Sequence, residues 1–335
     1  MNKPNIFSIA TKELSQDAFI TWLIQWADKS CCEYDEQLNE IGRKFISFLL
    51  DGKISIDENL INHVEAGRQW DNIDIWADID EKYFLIIEDK TNTNEHDNQL
   101  KRYEKIVKDY YKASREIVCV YLKTGIESLQ NKRNIENKNW KYISRSSFLT
   151  FLNGNTSNSE IYNEYVENLN KMDTASSCFT QYSKLNSWEA TKGLYLWLQN
   201  QLNENTHWDH VPNASGGFLG FWFHFCDCKK NSKRKFYLQI ENYCNNKVNL
   251  FIKLCGEWNE KVSYLYDRLS FLKDNMKDYD LTVEKPAVYR PGKYTSVAII
   301  KSVFLEKEDG LLDLENLLLK INKAEKLLEL LCENS

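Results

Sequence analysis

The sequence predicts an α/β fold, a mixed central sheet flanked by helices, followed by an α+β C-terminal domain. Three observations carry this. Ile73, Ile75, Ala77 and Ile79 alternate with polar residues, and 83–87 is a short apolar run, so the two read as strands of a hairpin. Residues 116–122 (EIVCVYL) form a continuous apolar run of strand length, the pattern of a strand buried on both faces. That run follows a helical pattern, and a strand entering the sheet after a helix does so by a parallel crossover, which makes the sheet mixed. Composition agrees with packed cores: 335 residues, 42% hydrophobic and 13% aromatic, leave room for two domains. Four prolines and twelve glycines speak against long flexible linkers.

Taken in order, a first helix covers about 11–28, because Leu14, Ala18, Phe19, Trp22, Leu23 and Trp26 recur at three- and four-residue spacing. A second, 35–50, turns Leu38, Ile41, Phe45, Ile46 and Leu49 to one side and stops at Asp51-Gly52. A strand at 60–65 leads through Gly67 into the hairpin, for whose loop Asp80-Glu81-Lys82 is one choice. Thr91-Asn92-Thr93-Asn94 breaks the second strand and offers an N-cap to a helix at 95–112. After the 116–122 strand come a basic, Asn-rich loop at 130–139, a short strand at 140–143, and helices at 146–152 and 160–172. The small, polar stretch 173–178 (DTASSC) marks a boundary, dividing the chain into domains 1–175 and 176–335. The second domain reads as a helix at 188–203, then strands at 219–226, 235–241 and 247–254 with a turn at Asn245-Asn246. A helix at 257–276, strands at 281–288 and 296–304, and a helix at 311–331 complete it.

The hairpin places acids where an apolar sheet reaches solvent: Asp74 on its first strand, Glu88-Asp89-Lys90 at the end of its second. Residues i and i+2 share a strand face roughly 6.6 Å apart, so Glu88 and Lys90 lie together. If the loop is Asp80-Glu81-Lys82, Asp74 stands across from Glu88, Cβ atoms roughly 5 Å apart; a shift in the loop moves the pairing and would flip that face. Two carboxylates so close repel each other unless a cation lies between them. Hard oxygen ligands in a small open cluster suit Mg²⁺ or Mn²⁺. The plainer reading is a hairpin with solvated charges at its end. Gln99 and Tyr103, four apart on the following helix, share one face. Glu13 and Asp17 do so on the first helix, where acids also complement the helix dipole.

Asp74, then Glu88-Asp89-Lys90, then Gln99-x-x-x-Tyr103 resembles the PD-(D/E)XK nuclease superfamily, whose signature is an acid on one strand and acid-x-lysine on the next. The proline of the family name is absent, Ile73 standing in its place. The resemblance covers the first half of the chain. It implies a restriction-endonuclease-like core and a metal-dependent nuclease hydrolysing phosphodiester bonds, with DNA as the expected substrate, in restriction, repair or defence against foreign DNA. In that reading Asp74, Glu88 and the carbonyl of Asp89 hold Mg²⁺ or Mn²⁺, and Lys90 positions a water or neutralises charge on the phosphate. Gln99 orients a water or phosphate oxygen, and Tyr103 donates to the backbone phosphate. The superfamily often adds an acid from an N-terminal helix, for which Glu13 is the first candidate and Asp17 the second. The rival class is a non-catalytic nucleic-acid- or protein-binding module on the same fold; the intact Asp74, Glu88 and Lys90 favour the enzyme. The C-terminal domain carries no recognised motif, and holding DNA, sensing a partner or forming a homodimer are its candidate tasks.

No secretory leader or membrane span is read, since 1–11 is polar and no apolar run approaches the roughly 20 residues of a span. Nine cysteines without framework spacing read as reduced thiols, so a cytoplasmic location is expected. A net charge of −6 does not suit a generally basic nucleic-acid binder. Local clusters at Lys132-Arg133, Lys138, Lys141 and Arg145, and at Lys229-Lys230 and Lys233-Arg234-Lys235, provide positive potential instead. Glu65 reads as an exposed acid, His96 as solvated, and Trp70 and Trp76 as packing residues. His207-x-x-His210 with Cys226-x-Cys228 could ligate Zn²⁺, but the spacings are not the usual ones, so loop histidines and strand thiols are preferred. Phe218, Phe221, Trp222, Phe223 and Phe225 invite a base-stacking reading. Strand alternation sends at least half of them elsewhere, and core packing is the preferred assignment.

Overall fold

The computed structural model describes residues 3–91, 98–112, 114–202, 205–213, 216–229, 231–245, 248–256 and 261–335. The N-cap expected at 92–94, His96, the helix start at 95, Lys230, Asn246 and the helix start at 257 lie outside them. Two compact units result, 1–127 with 131–174, and 128–130 with 175–335.

The first unit opens with α1 (Glu13–Gln25) and α2 (Glu36–Leu50), the latter capped by Asp35, whose carboxylate accepts the Leu38 N–H at 2.9 Å. Three antiparallel strands follow: β1 (Val64–Trp70), β2 (Ile73–Ile79) and β3 (Tyr83–Lys90). The strand expected at 60–65 thus starts later and runs through Gly67. The reason is the turn: Asp71 and Asn72 both take left-handed φ (49° and 67°), giving a tight two-residue hairpin that pulls Trp70 into register with Ile73. After α3 (Gln99–Tyr111), β4 (Glu116–Lys123) and β5 (Lys141–Ser144) add in parallel, so the sheet runs β1-β2-β3-β4-β5 and is mixed. The expected 130–139 loop is instead largely α4 (Leu129–Glu136). Its Gln, Lys, Arg and Glu are good helix formers, and burying Ile135 (4% exposed) fixes one face. The unit closes with α5 (Arg145–Asn153) and α6 (Glu160–Ser177).

Strand alternation divides the core in two. Leu85 and Ile87 of β3 face Phe19, Ile20 and Leu23 of α1 with α2, α5 and α6; Phe84 and Ile86 face Leu100, Tyr103 and Val107 of α3 with Ile135. Every β3 residue after Tyr83 is buried, as a strand covered on both sides requires. At the far end the chain is laced tightly: Thr124 N–H donates to Lys90 O (3.0 Å), and a Cβ on Gly125 would stand 1.9 Å from Thr91 O. Only glycine permits that approach.

The units divide at 174/175, within the 173–178 stretch expected to separate domains, but that stretch is the end of α6 up to Ser177 and not a loop. Its small residues serve close packing, since a Cβ on Gly193 would fall 2.0 Å from Ser176 O. Gly193 sits in α7 (Trp188–Leu202), which opens the second unit's run of β6 (His207–Val211), β7 (Phe218–Cys228), β8 (Asn231–Asn242) and β9 (Val248–Cys255). Then come α8 (Ser263–Asn275), β10 (Thr282–Glu284), β11 (Tyr294–Lys301) and α9 (Leu314–Glu333). The strands form an antiparallel sheet ordered β10-β11-β9-β8-β7-β6. Sequence reading missed β6, whose histidines looked like a loop, and overextended β10, which ends before Lys285-Pro286. Among the described residues no helix is long and apolar enough to cross a membrane.

Candidate active site

The alternation that divides the core also splits Glu88-Asp89-Lys90 between two faces. Glu88 and Lys90 continue the α3 side begun by Phe84 and Ile86, while Asp89 continues the α1 side. The β2–β3 register, which pairs Ile75 with Ile87 and Ile79 with Tyr83 around the loop 80–82, carries one step on to set Asp74 against Glu88. Lys90 Nζ lies 3.2 Å from Asp74 Oδ2 and forms an ion pair with Glu88 Oε1. An ammonium therefore stands between the two carboxylates, where like charges demand a cation.

Glu88 is fully buried, and its Oε2 has no hydrogen-bond partner among the described residues. Burial, then the neighbouring Asp74, pushes its carboxyl up to about 8, although Lys90 pulls the other way. Burial opposes the charge on Lys90, but Glu88 and Asp74 outweigh it and hold the ammonium above its ordinary value. On the other face Asp89, 1% exposed, accepts from Gln16 Nε2 and meets Asp17. Burial and the Asp17 charge raise Asp89 well above the carboxylate range. Asp17, itself buried, is raised to about 6 by burial, then by Asp74. Gln16 is held in turn by Tyr165, whose hydroxyl donates to Oε1 at 3.2 Å.

These shifts set the sign of a pH effect. Each acid binds its proton more tightly folded than unfolded, so its contribution is fully present below the ordinary carboxylate range, about 4, and is lost as pH rises toward 8. The melting temperature in metal-free buffer is expected to fall between pH 5 and 8, and Glu88→Gln to flatten the fall. A melting temperature that climbs over this range in the native protein would contradict the assignment.

The helix residues divide as well. Glu13 Oε1 accepts the Thr91 N–H at 2.8 Å, just past β3, while Asp17 lies close enough to Asp74 and Lys90 to feel both charges. Gln99 Nε2 donates to the Tyr103 hydroxyl at 2.6 Å, and that hydroxyl donates to the carbonyl of Asn72 in the β1–β2 turn. Tyr103 is buried (1% exposed) within the field of Glu88 and Asp74. Its one proton is committed to Asn72, so in this geometry it fastens to α3 the turn that leads into β2, the strand of Asp74, and has none left for a phosphate. Sequence reading did not single out Gln16; a polar residue one position before Asp17 was the available signal.

A model of one family, the PD-(D/E)XK nuclease superfamily, matches residues 4–189, more than half of the chain. The chain belongs to the PD-(D/E)XK nuclease superfamily. No curated protein and no solved structure matches it. Members of this superfamily typically use divalent metal ions, and the donor set here can be tested against one. Among the described residues no three His, Cys, Asp or Glu side chains are grouped to hold an ion by themselves. A Mg²⁺-type site needs only one or two carboxylates, with waters and substrate oxygens completing it. The buried, unpartnered Glu88 Oε2 beside Asp74 supplies that donor set, so the residues fit.

The basic clusters of the first unit do not form one free surface. Arg145 is buried and bonds Asp173 (3.1 Å) and Thr124 O, and Lys141 donates to Phe48 O and Asp51 O. In the second unit His207 stacks on Trp222 (5.5 Å), while Cys226 lies with His224 and Cys332, so the histidine and cysteine pairs occupy different neighbourhoods.

Proposed function

We propose that this superfamily member hydrolyses phosphodiester bonds of nucleic acid, DNA in the first instance, with Mg²⁺ or Mn²⁺ held by Asp74 and Glu88. The observation that carries the reading is the buried Glu88 carboxylate, short of donors, facing Asp74 across a single ammonium. A bound ion would supply Lewis-acid stabilisation of the phosphate and lower the pKa of a water. Asp74 and Glu88 would hold that ion. Lys90, which stands beside both carboxylates, would orient water and offset charge growing on the phosphate. Gln99, half-buried beside them, orients a water or phosphate oxygen. Tyr103 positions Asp74 through Asn72. The 1–175 segment carries this chemistry, and 176–335 is an accessory domain.

The direct experiment incubates the protein with linear, nicked and single-stranded DNA and with RNA, with and without Mg²⁺ or Mn²⁺. Metal-dependent cleavage of DNA is the expected result; cleavage of RNA alone reassigns the substrate, and cleavage of nothing leaves the binding-module reading. A second experiment separates the two helix acids. Asp17→Asn should reduce cleavage by about tenfold or more, because Asp17 lies in the field of Asp74 and Lys90. Glu13→Gln, which keeps an acceptor for Thr91 N–H, should leave turnover within about threefold. The reverse order of effects would transfer the role to Glu13.

A further inference from the structure

The sheet of the second unit carries a cavity of about 560 Å³ on the face turned away from α7 and α9. Alternation assigns Phe221 and Phe223 to the helix side, where Phe221 meets Tyr195 of α7 at 5.2 Å, and Trp222 to the cavity side. Phe225 would follow Phe221 and Phe223 to the helix side if β7 were regular. It does not, because the register slips between Phe223 and Cys226, with His224 at a left-handed φ of 50°. This bulge turns Phe225 to the cavity, where it stacks on Tyr237 (4.9 Å, 12° between planes). A second local feature works the same way: a Cβ on Gly220 would lie 2.9 Å from the Trp222 ring, so glycine lets the indole lie flat along the strand. Two flat aromatic platforms result, Trp222 on His207 and Phe225 on Tyr237.

The floor between them is polar, which plain sheet packing does not require. Gln239 (2% exposed) accepts from the Tyr237 hydroxyl at 3.1 Å and donates to Glu241 Oε1 at 2.8 Å. Lys253 holds the same Glu241 at 2.7 Å. The Gln239 amide thus keeps one N–H and one lone pair beyond these bonds. At the rim Lys235 is paired with Asp227 at 3.2 Å, both half-exposed or more, a weak pair that a phosphate can displace. Cavity volume, paired ring faces, an amide able to give and accept, and a rim cation suit one class of ligand, a planar heterocycle carrying phosphate.

The geometry points to a nucleotide-binding site on this sheet face, the base stacked against Trp222 and Phe225, its edge on Gln239 and its phosphate on Lys235. The site stands on residues of the second unit and does not depend on the reading of the acid cluster.

The test uses the full chain in EDTA, so that no cleavage intervenes, and titrates two probes: a fluorescein-labelled twelve-nucleotide single-stranded DNA by anisotropy and dAMP by calorimetry. Binding is expected, with Trp222→Ala and Phe225→Ala each weakening it about tenfold or more, as loss of a stacking ring does. Trp222→Phe should stay within about threefold, and Lys235→Gln should weaken binding and lower its salt dependence. Binding of both probes assigns the site to a free nucleotide or a strand alike; binding of the oligonucleotide alone assigns it to a strand. No binding of either probe at millimolar concentration, or unchanged binding by Phe225→Ala, overturns the proposal. Phe225 is 48% exposed, so that variant decides even if Trp222→Ala fails to fold. Glu88→Ala should bind as the native chain does, which separates failure here from failure of the cleavage reading.

Discussion

Glu88→Ala and Asp74→Ala are each expected to lower metal-dependent cleavage by about 10³-fold or more while leaving the chain folded. A single electrostatic stabiliser lost from an active site costs about 10²–10³ in turnover. Here the loss also halves the pair of carboxylates that would hold the ion, so its charge goes as well. Stability should move the other way for Glu88. Glu88 is fully buried with Oε2 lacking a partner, an expensive state for a polar atom, and although truncation also removes the ion pair with Lys90, that ammonium keeps Asp74 beside it, so truncation relieves strain in the metal-free protein. Asp74 is less buried, accepts the Asp89 N–H at 3.4 Å, and should be close to neutral. Cleavage rates with saturating Mn²⁺, measured beside thermal melts in EDTA, check both halves. Native turnover in either variant would remove the site assignment; loss of activity together with loss of fold would make the acids structural.

Lys90→Met is expected to lower turnover by about 10²-fold or more and to destabilise the metal-free protein, by about 3 kcal/mol if the pair behaves like other buried ones. Lys90 Nζ reaches both Asp74 and Glu88, so removing it leaves two facing carboxylates without their cation. Those same carboxylates are then free to take a divalent ion. Mn²⁺ should therefore restore the melting temperature of this variant more than that of the native chain, and metal affinity should hold or improve. The kinetic signature is a fall in kcat with KM nearly unchanged, the mark of a group that acts in the transition state. A variant that melts early, is rescued by Mn²⁺ and cleaves at the native rate would show that Lys90 only balances charge in the resting protein.

The local pattern around the hairpin was legible because period-two alternation and a three-residue loop together determine register. Asp74 opposite Glu88, and Glu88 beside Lys90, follow from counting residues. The β1–β2 turn was not read, although Asp71-Asn72 is a dipeptide suited to left-handed φ, because the strand before it was begun at Leu60. α4 was hidden by its asparagines, and its helix depends on a core contact of Ile135 that no local pattern announces. The 173–178 stretch does hold the division between the two units, at 174/175, but as the end of a helix and not a loop: small polar residues signal a loop locally and a close helix crossing in three dimensions.

By itself the sequence determined the order of strands and helices around the acids, the mixed sheet, and the shared face of Glu88 and Lys90, because these depend on periodicities of two and 3.6 residues. Only the tertiary structure decided what each acid meets. It put Asp17 and Gln16 on Asp89, tied Glu13 to the Thr91 N–H, spent the Tyr103 proton on Asn72, and turned Phe225 out of the second core through a bulge at His224. Those outcomes depend on burial and on competition for donors among residues tens to more than a hundred positions apart. Such competition is settled when the elements pack, and no short stretch of chain encodes it.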